Sequence, residues 1–233
     1  NRFCKICENE TILGVCCNKN TSFLELSHKN INLQALWNEA KMNAGIFNNL
    51  DVKGVKGMTS SEKCPENIMK GLLRLTHDIS TFRDGTIRFD MVDISMTHFK
   101  PSEIGLSVSK AKKLGYRVED ENEIVELYPQ DIVISKTCAQ TILKTSQYID
   151  DLLVKLYGLA PYYNAQTVED LFGHLFMGLA PHTSGAILCR LIGVAEIKGH
   201  YGHPFFHAAK RRNCDGDIDS IMLLMDGLIN FSK

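Results

Sequence analysis

The sequence predicts an α+β fold, and three observations carry that reading. Stretches whose apolar residues recur every three or four positions alternate with short stretches of period two. The segments between them are irregular and rich in Gly, His and Pro, and no internal repeat or low-complexity tract is present.

Residues 4–19, with Cys4, Cys7, Cys16 and Cys17, read as a small knuckle. Leu33, Leu36, Trp37 and Ala40 mark a short helix with Trp37 in its core, followed by an Asn- and Lys-rich connector with Gly54 and Gly57 as turns. A second amphipathic helix is expected from Ser61, capped just ahead of Glu62 and carrying Ile68, Met69, Leu72, Leu73 and Leu75. Ile79–Arg83 and Thr86–Met91 alternate around Asp84-Gly85 and predict a hairpin with a type I′ turn. Ser107 to Leu114 predicts a helix closed by Gly115, and Glu123 to Ser135 one or two strands. A long helix is expected from about Thr137 to Gly158, with Ile142, Ile149, Leu152, Leu153 and Leu156 on its stripe. Thr167 caps a further predicted helix with Val168, Leu171, Phe172, Leu175 and Phe176. Ile221–Met225 with Leu228 and Ile229 reads as a last helix that packs on something.

The totals bound the function. With 233 residues, 44% hydrophobic and 23% charged, the chain can bury an ordinary core. A formal net charge of -1 and a pI near 6.8 exclude binding to nucleic acid through bulk positive charge, so any basic patch is local. No apolar run reaches the roughly 18 residues of a membrane span, and the polar start carries no signal-peptide core. An intracellular protein without a membrane partner is expected. The missing initiator Met and the apolar C-terminal run suggest a fragment of a longer polypeptide. The clustered cysteines fit metal chemistry in a reducing compartment, whereas Cys64, Cys138, Cys189 and Cys214 read as small buried hydrophobes.

The densest chemical signal lies between Pro181 and Asp219, where His182, His200, His203 and His207 precede Lys210-Arg211-Arg212-Asn213-Cys214-Asp215-Gly216-Asp217. Asp215 and Asp217 flank a glycine that lets the backbone turn, so their carboxylates can converge instead of facing opposite ways as in a strand. Paired hard oxygen ligands suit Mg²⁺, which takes the rest of its shell from water and substrate phosphates. In nucleotidyl transfer two such ions, roughly 3.5–4 Å apart, stabilise the attacking and leaving oxygens. Lys210, Arg211 and Arg212 are candidates for neutralising phosphate, as are His203 and His207. A solvated turn is the bland alternative. A calcium loop is the sharper one, because Asp215, Asp217, Asp219 and Asp226 fall at its ligand spacing. Against it, Ser220 stands where that loop turns on glycine, and Asp226 is shorter than the usual Glu.

The run from His203 to Asp217 resembles, nearly letter for letter, the catalytic segment of the large subunit of archaeal family D DNA polymerases. Asp84–Asp90, Thr97–Pro101, Ile149–Lys155 and Gly178–Ser184 resemble the same family in the same order, and the likeness is continuous from Lys53 to the end. The resemblance implies a double-psi β-barrel catalytic core of the two-barrel polymerase class, with surrounding helices and a small N-terminal zinc-ribbon-like knuckle. It divides the chain into a partial knuckle and connector, 1–52, and a barrel region, 53–233. It implies that Asn213, Asp215 and Asp217 hold catalytic Mg²⁺, and that the partners are primed template DNA, dNTPs, a small exonuclease subunit and a sliding clamp. The expected setting is the archaeal cytoplasm, at the nucleoid. The family's first barrel is expected upstream of Asn1, so this piece would be catalytically incomplete alone. Two departures stand out. Ile218 replaces a usual acid, although Asp219 matches, and Lys19 stands where a fourth zinc-ribbon cysteine belongs, with Cys17 adjacent to Cys16 instead. Zinc at Cys4, Cys7, Cys16 and Cys17, zinc with His28 as fourth ligand, and a metal-free remnant are the readings of the knuckle. A non-catalytic DNA-binding or assembly module and a metal-dependent phosphodiesterase are the alternatives to polymerisation.

Overall fold

The computed structural model describes residues 2–11, 14–23, 30–48, 66–180, 185–213 and 215–231. It divides into two compact units, Asn1–Trp37 and Asn38–Lys233. The 52/53 boundary read from the sequence lies outside the described residues.

In the first unit, β1 (Arg2–Phe3) pairs antiparallel with β2 (Glu10–Thr11) and β5 (Ser22–Phe23), while β3 (Val15–Cys16) pairs with β4 (Lys19–Asn20). Helix α1, Leu33–Ala44, begins in this unit and continues into the second, and it is opened by the Asn32 side chain accepting from the Ala35 N–H at 3.0 Å. Trp37 is half-buried in it, not the core residue expected.

Helix α2 is Ile68–Thr76, shorter than expected, because its cap is Asn67, which accepts from Met69 N at 2.9 Å. The expected start near Ser61 lies outside the described residues. Leu72 and Leu73 are fully buried. The predicted hairpin forms only as its turn: Gly85 N donates to Phe82 O at 2.9 Å and Phe82 N to Thr86 O at 2.8 Å, while Asp84 Oδ1 takes the Thr86 N–H at 3.1 Å and the Thr86 hydroxyl at 2.7 Å, and Ile79–Arg88 carries no strand. The strand begins instead at Phe89, as β6 (Phe89–Ser95).

After β7 (His98–Phe99) come α3 (Val108–Lys113), β8 (Val125–Glu126), β9 (Asp131–Ser135) and α4 (Lys136–Lys155), close to the sequence reading. Ser107 caps α3 through Lys110 N and Ser135 caps α4 through Cys138 N. The helix expected after Thr167 is a single 3₁₀ turn, Val168–Leu171, and then a strand, β10 (Leu175–Leu179). Gly173, at φ +95°, breaks the backbone between them. β11 (Ile187–Ala195), β12 (Gly199–Gly202), α5 (Pro204–Ala209), β13 (Ile218–Leu223) and α6 (Leu224–Phe231) complete the chain. The last apolar run is therefore strand up to Leu223 and helix only beyond it. Ile221, Met222 and Leu223 are all buried, and a run hidden on both faces carries no period that separates strand from helix.

Six strands close into a barrel in the order β10-β11-β9-β12-β6-β13. β9 with β11 and β6 with β12 are parallel, and the remaining pairings are antiparallel. Phe176, Ile132, Ile134 and Leu191 are fully buried barrel residues. Each such side chain stabilises the fold by about 1.5–3 kcal/mol relative to exposure. Outside the barrel, α4 packs against β9 and β13 and carries α2. Cys138 and Cys189 are buried, as expected, and Cys64 and Cys214 lie outside the described residues. No helix among the described residues is long and apolar enough to cross a membrane.

Candidate active site

The acidic loop hangs between two barrel strands. β12 ends at Gly202, and His203 Nδ1 accepts from Phe205 N at 3.2 Å to cap α5, whose fixed start is Pro204. The helix lies close against β10, where a Cβ on Gly178 would sit 2.7 Å from Phe206 Cζ and 3.2 Å from Lys210 Cδ. Only glycine admits that approach. Arg211 then takes a left-handed conformation, φ +59°, as does Gly216 at +93°, and the chain re-enters the barrel at β13. The loop's exit is pinned by Asp93 N donating to Asp217 O at 2.8 Å.

The predicted site residues divide into two sets. Asn213, Asp215 and Arg211 are exposed, and the Asp217 side chain is 40% exposed. Lys210, His203 and His207 are turned inward, at 3%, 9% and 0% exposure. Lys210 departs furthest from the phosphate-facing place expected of it. Its ammonium is ion-paired with Asp219, both side chains fully buried, and it stands 4.5 Å from the Phe206 ring centroid and 3.5 Å from His200 Nε2. Arg212 donates from Nε to Asp219 Oδ1 at 3.0 Å, from Nη1 to Asp217 Oδ2 at 3.4 Å and from Nη2 to Ile218 O at 2.8 Å. The calcium-loop reading fails on these contacts, because Asp219 serves two cations and Asp226 accepts from Ile87 N at 2.7 Å inside the protein. His182 and Cys214 lie outside the described residues.

Behind the loop sits a buried polar cluster that the sequence reading missed in part. Asp93 is 1% exposed, with neither carboxylate oxygen hydrogen-bonded, and its Oδ2 lies 3.3 Å from His207 Nδ1 without the alignment of a hydrogen bond. The available signal was positional, since Asp93 shares the inward face of β6 with Met91. Burial first, and then the Asp219 charge, hold the Asp93 carboxyl above its ordinary range. Burial and the Lys210 ammonium push His200 well below the usual imidazole range and lower His207. The ligand atoms of His200, His207 and Asp219 lie within 4.8 Å of one another, and the cation already among them is Lys210.

In the first unit the ligand atoms of Cys4, Cys7, Cys16 and Cys17 lie within 4.8 Å of one another. Cys17, at φ +49°, turns so that its sulfur stands 3.8 Å from that of its neighbour Cys16, and Cys7 Sγ is also 3.8 Å from Cys16 Sγ. A tetrahedral ion with Zn–S bonds of about 2.3 Å has sulfur–sulfur edges near that length. The Cys7 and Ile6 N–H groups draw the Cys4 thiol down to about 7, while the neighbouring sulfurs, Cys7 first, push Cys17 up to about 12. His28 lies outside the described residues.

A family model described as DNA polymerase II large subunit DP2, catalytic domain, matches residues 45–233. The chain belongs to that family. It is 48% identical to the DNA polymerase II large subunit of Archaeoglobus fulgidus over 239 aligned positions, covering 99% of this chain and 21% of that relative. The Methanothermobacter thermautotrophicus large subunit is 47% identical, covering 99% of this chain and 22% of its own length. That of Thermoplasma acidophilum is 50% identical, covering 98% and 21%. The chain therefore spans about a fifth of the curated polymerase subunits it matches. Within that fifth lies the Asn213–Asp217 loop, carried on a closed barrel.

Proposed function

We propose that the chain supplies the catalytic carboxylates of a family D DNA polymerase, which adds deoxynucleotides to a primer 3′-end on a template. The observation that carries this reading is the Asp215-Gly216-Asp217 turn, with both carboxylates open to solvent and Gly216 in the left-handed region. Two accessible hard-oxygen donors fit Mg²⁺. Asp215 and Asp217 would hold it, with Asn213 completing the protein's share. When bound, Mg²⁺ lowers the pKa of the attacking hydroxyl and offsets charge on the leaving phosphate. Arg211, exposed beside the carboxylates, neutralises substrate phosphate. Lys210 works from inside the wall, where it neutralises Asp219 and keeps β13 and α5 together.

The barrel's two parallel pairings, joined by antiparallel ones, support its reading as a double-psi β-barrel. The four converging sulfurs support a zinc-ribbon-like knuckle holding structural Zn²⁺. The partners are primed template DNA, dNTPs, a small exonuclease subunit and a sliding clamp, at the nucleoid in the cytoplasm.

The test is primer extension by the assembled polymerase carrying Asp215→Asn. Lost extension with unchanged primer–template binding supports catalysis. Unchanged extension points to a scaffold, and nucleotide release without dNTP consumption points to a phosphodiesterase.

A further inference from the structure

Carboxylates on an exposed loop are useful to a metal only if something fixes their orientation, because each rotamer left free is entropy lost when the ion binds. Asp217 is held at two points. Its carbonyl accepts from Asp93 N at 2.8 Å, which fastens the main chain to β6, and its Oδ2 accepts from Arg212 Nη1 at 3.4 Å. That second bond uses one carboxylate oxygen and leaves the other for an ion.

We infer that Arg212 is a positioning residue for Asp217, anchored by the buried Lys210–Asp219 pair, and does not act as a phosphate contact. The inference deepens the polymerase reading above and rests on it. The Arg212 side chain is only 9% exposed, and Nε, Nη1 and Nη2 are directed at Asp219, Asp217 and the Ile218 carbonyl. A phosphate contact needs donors turned to solvent, which is where Arg211 stands. The anchor is stiff as well. Asp219 is fully buried, with Oδ1 on Arg212 and Oδ2 on Lys210, so the guanidinium plane is fixed from behind. The Arg212 main chain is tied in turn to α5 by its N–H donating to His207 O at 3.0 Å. A rigid planar fork can hold three acceptors at fixed angles, and a lysine ammonium cannot reproduce that pattern. Barrel wall, Lys210, Asp219, Arg212 and Asp217 thus form one continuous chain of contacts ending at the metal-facing carboxylate.

The test uses the assembled polymerase and reads primer extension against Mg²⁺ concentration, together with the salt dependence of primer–template binding. Arg212→Gln is expected to raise the Mg²⁺ concentration for half-maximal rate by about 10-fold or more, the usual cost of losing a partner behind a metal ligand. Arg212→Lys should fall between it and the parent, and neither should alter the salt slope. An unchanged Mg²⁺ midpoint with a slope reduced by about one unit would identify a phosphate contact and overturn the inference. If Arg212→Gln does not fold, Arg212→Lys decides, since an unchanged midpoint there contradicts positioning. Asp217→Asn separates the two readings: if it extends primers normally the polymerase proposal fails, whereas if it is inactive and Arg212→Gln keeps the parental Mg²⁺ curve, only this inference fails.

Discussion

Lys210 and Asp219 form an ion pair in which neither side chain reaches solvent, and it joins the end of α5 to the start of β13. Charges so placed are costly to separate. Lys210→Ala is expected to lower stability by about 1–3 kcal/mol, because it takes the partner from Asp219 Oδ2 inside the protein and leaves that carboxylate to the Arg212 bond on Oδ1. Denaturant melts of Lys210→Ala and of the double variant with Asp219→Asn would check this, the double variant recovering part of the loss.

Gly178 is a second structural support of the loop. Gly178→Ala puts a Cβ 2.7 Å from the ring of Phe206, itself 3% exposed and unable to move aside. The expected cost is about 1–3 kcal/mol. Thermal melting should register it, with a loss of extension only where the loop shifts too.

Asp226 makes stability depend on pH. Burial raises its folded pKa to about 7, well above its ordinary value. Between about pH 4 and pH 7 the native state holds a proton that the unfolded chain has released, so this group's contribution falls as pH rises through that window and levels off above it. Asp226→Asn keeps an oxygen for the Ile87 N–H and cannot ionise. Its stability relative to the parent should therefore improve from pH 4 to pH 7, by an amount on the order of a few kcal/mol. Melts across that range decide it, and parallel curves would contradict the assignment.

The four cysteines predict a metal-dependent first unit. Chelation is expected to release about one zinc per chain and to remove amide protection from residues 2–23, leaving the barrel's melt unchanged. Cys16→Ser should do the same without chelator. Elemental analysis with hydrogen exchange resolved by region would show either outcome.

Much of the fold was legible where local signals agree. α3, read from Ser107 to its stop at Gly115, and α4, read from its apolar stripe, appear close to where the sequence places them, and in the structure Ser107 and Ser135 cap them. The misreadings have a common cause, which is tertiary context. Ile221–Leu223 is buried on both faces, Val168–Phe176 carries helical spacing but is cut by Gly173, and the Asp84-Gly85 turn closes with no strand in Ile79–Arg88. The loop from Asn213 to Asp217 could be located from its residues alone. Which of the three consecutive cations turns inward could not, because that is decided by Asp219 across the barrel wall and by the left-handed backbone at Arg211. Asp93 escaped notice because an acid on an inward strand position looks, in sequence, like ordinary alternation.

The polymerase reading requires Asp215 and Asp217 to grip a shared divalent cation. Crystals of the chain grown with Mn²⁺ test it most directly, through anomalous diffraction at the manganese edge. A peak is expected within about 2.0–2.3 Å of an oxygen from each carboxylate. An ordered loop with no peak between the two side chains would contradict it.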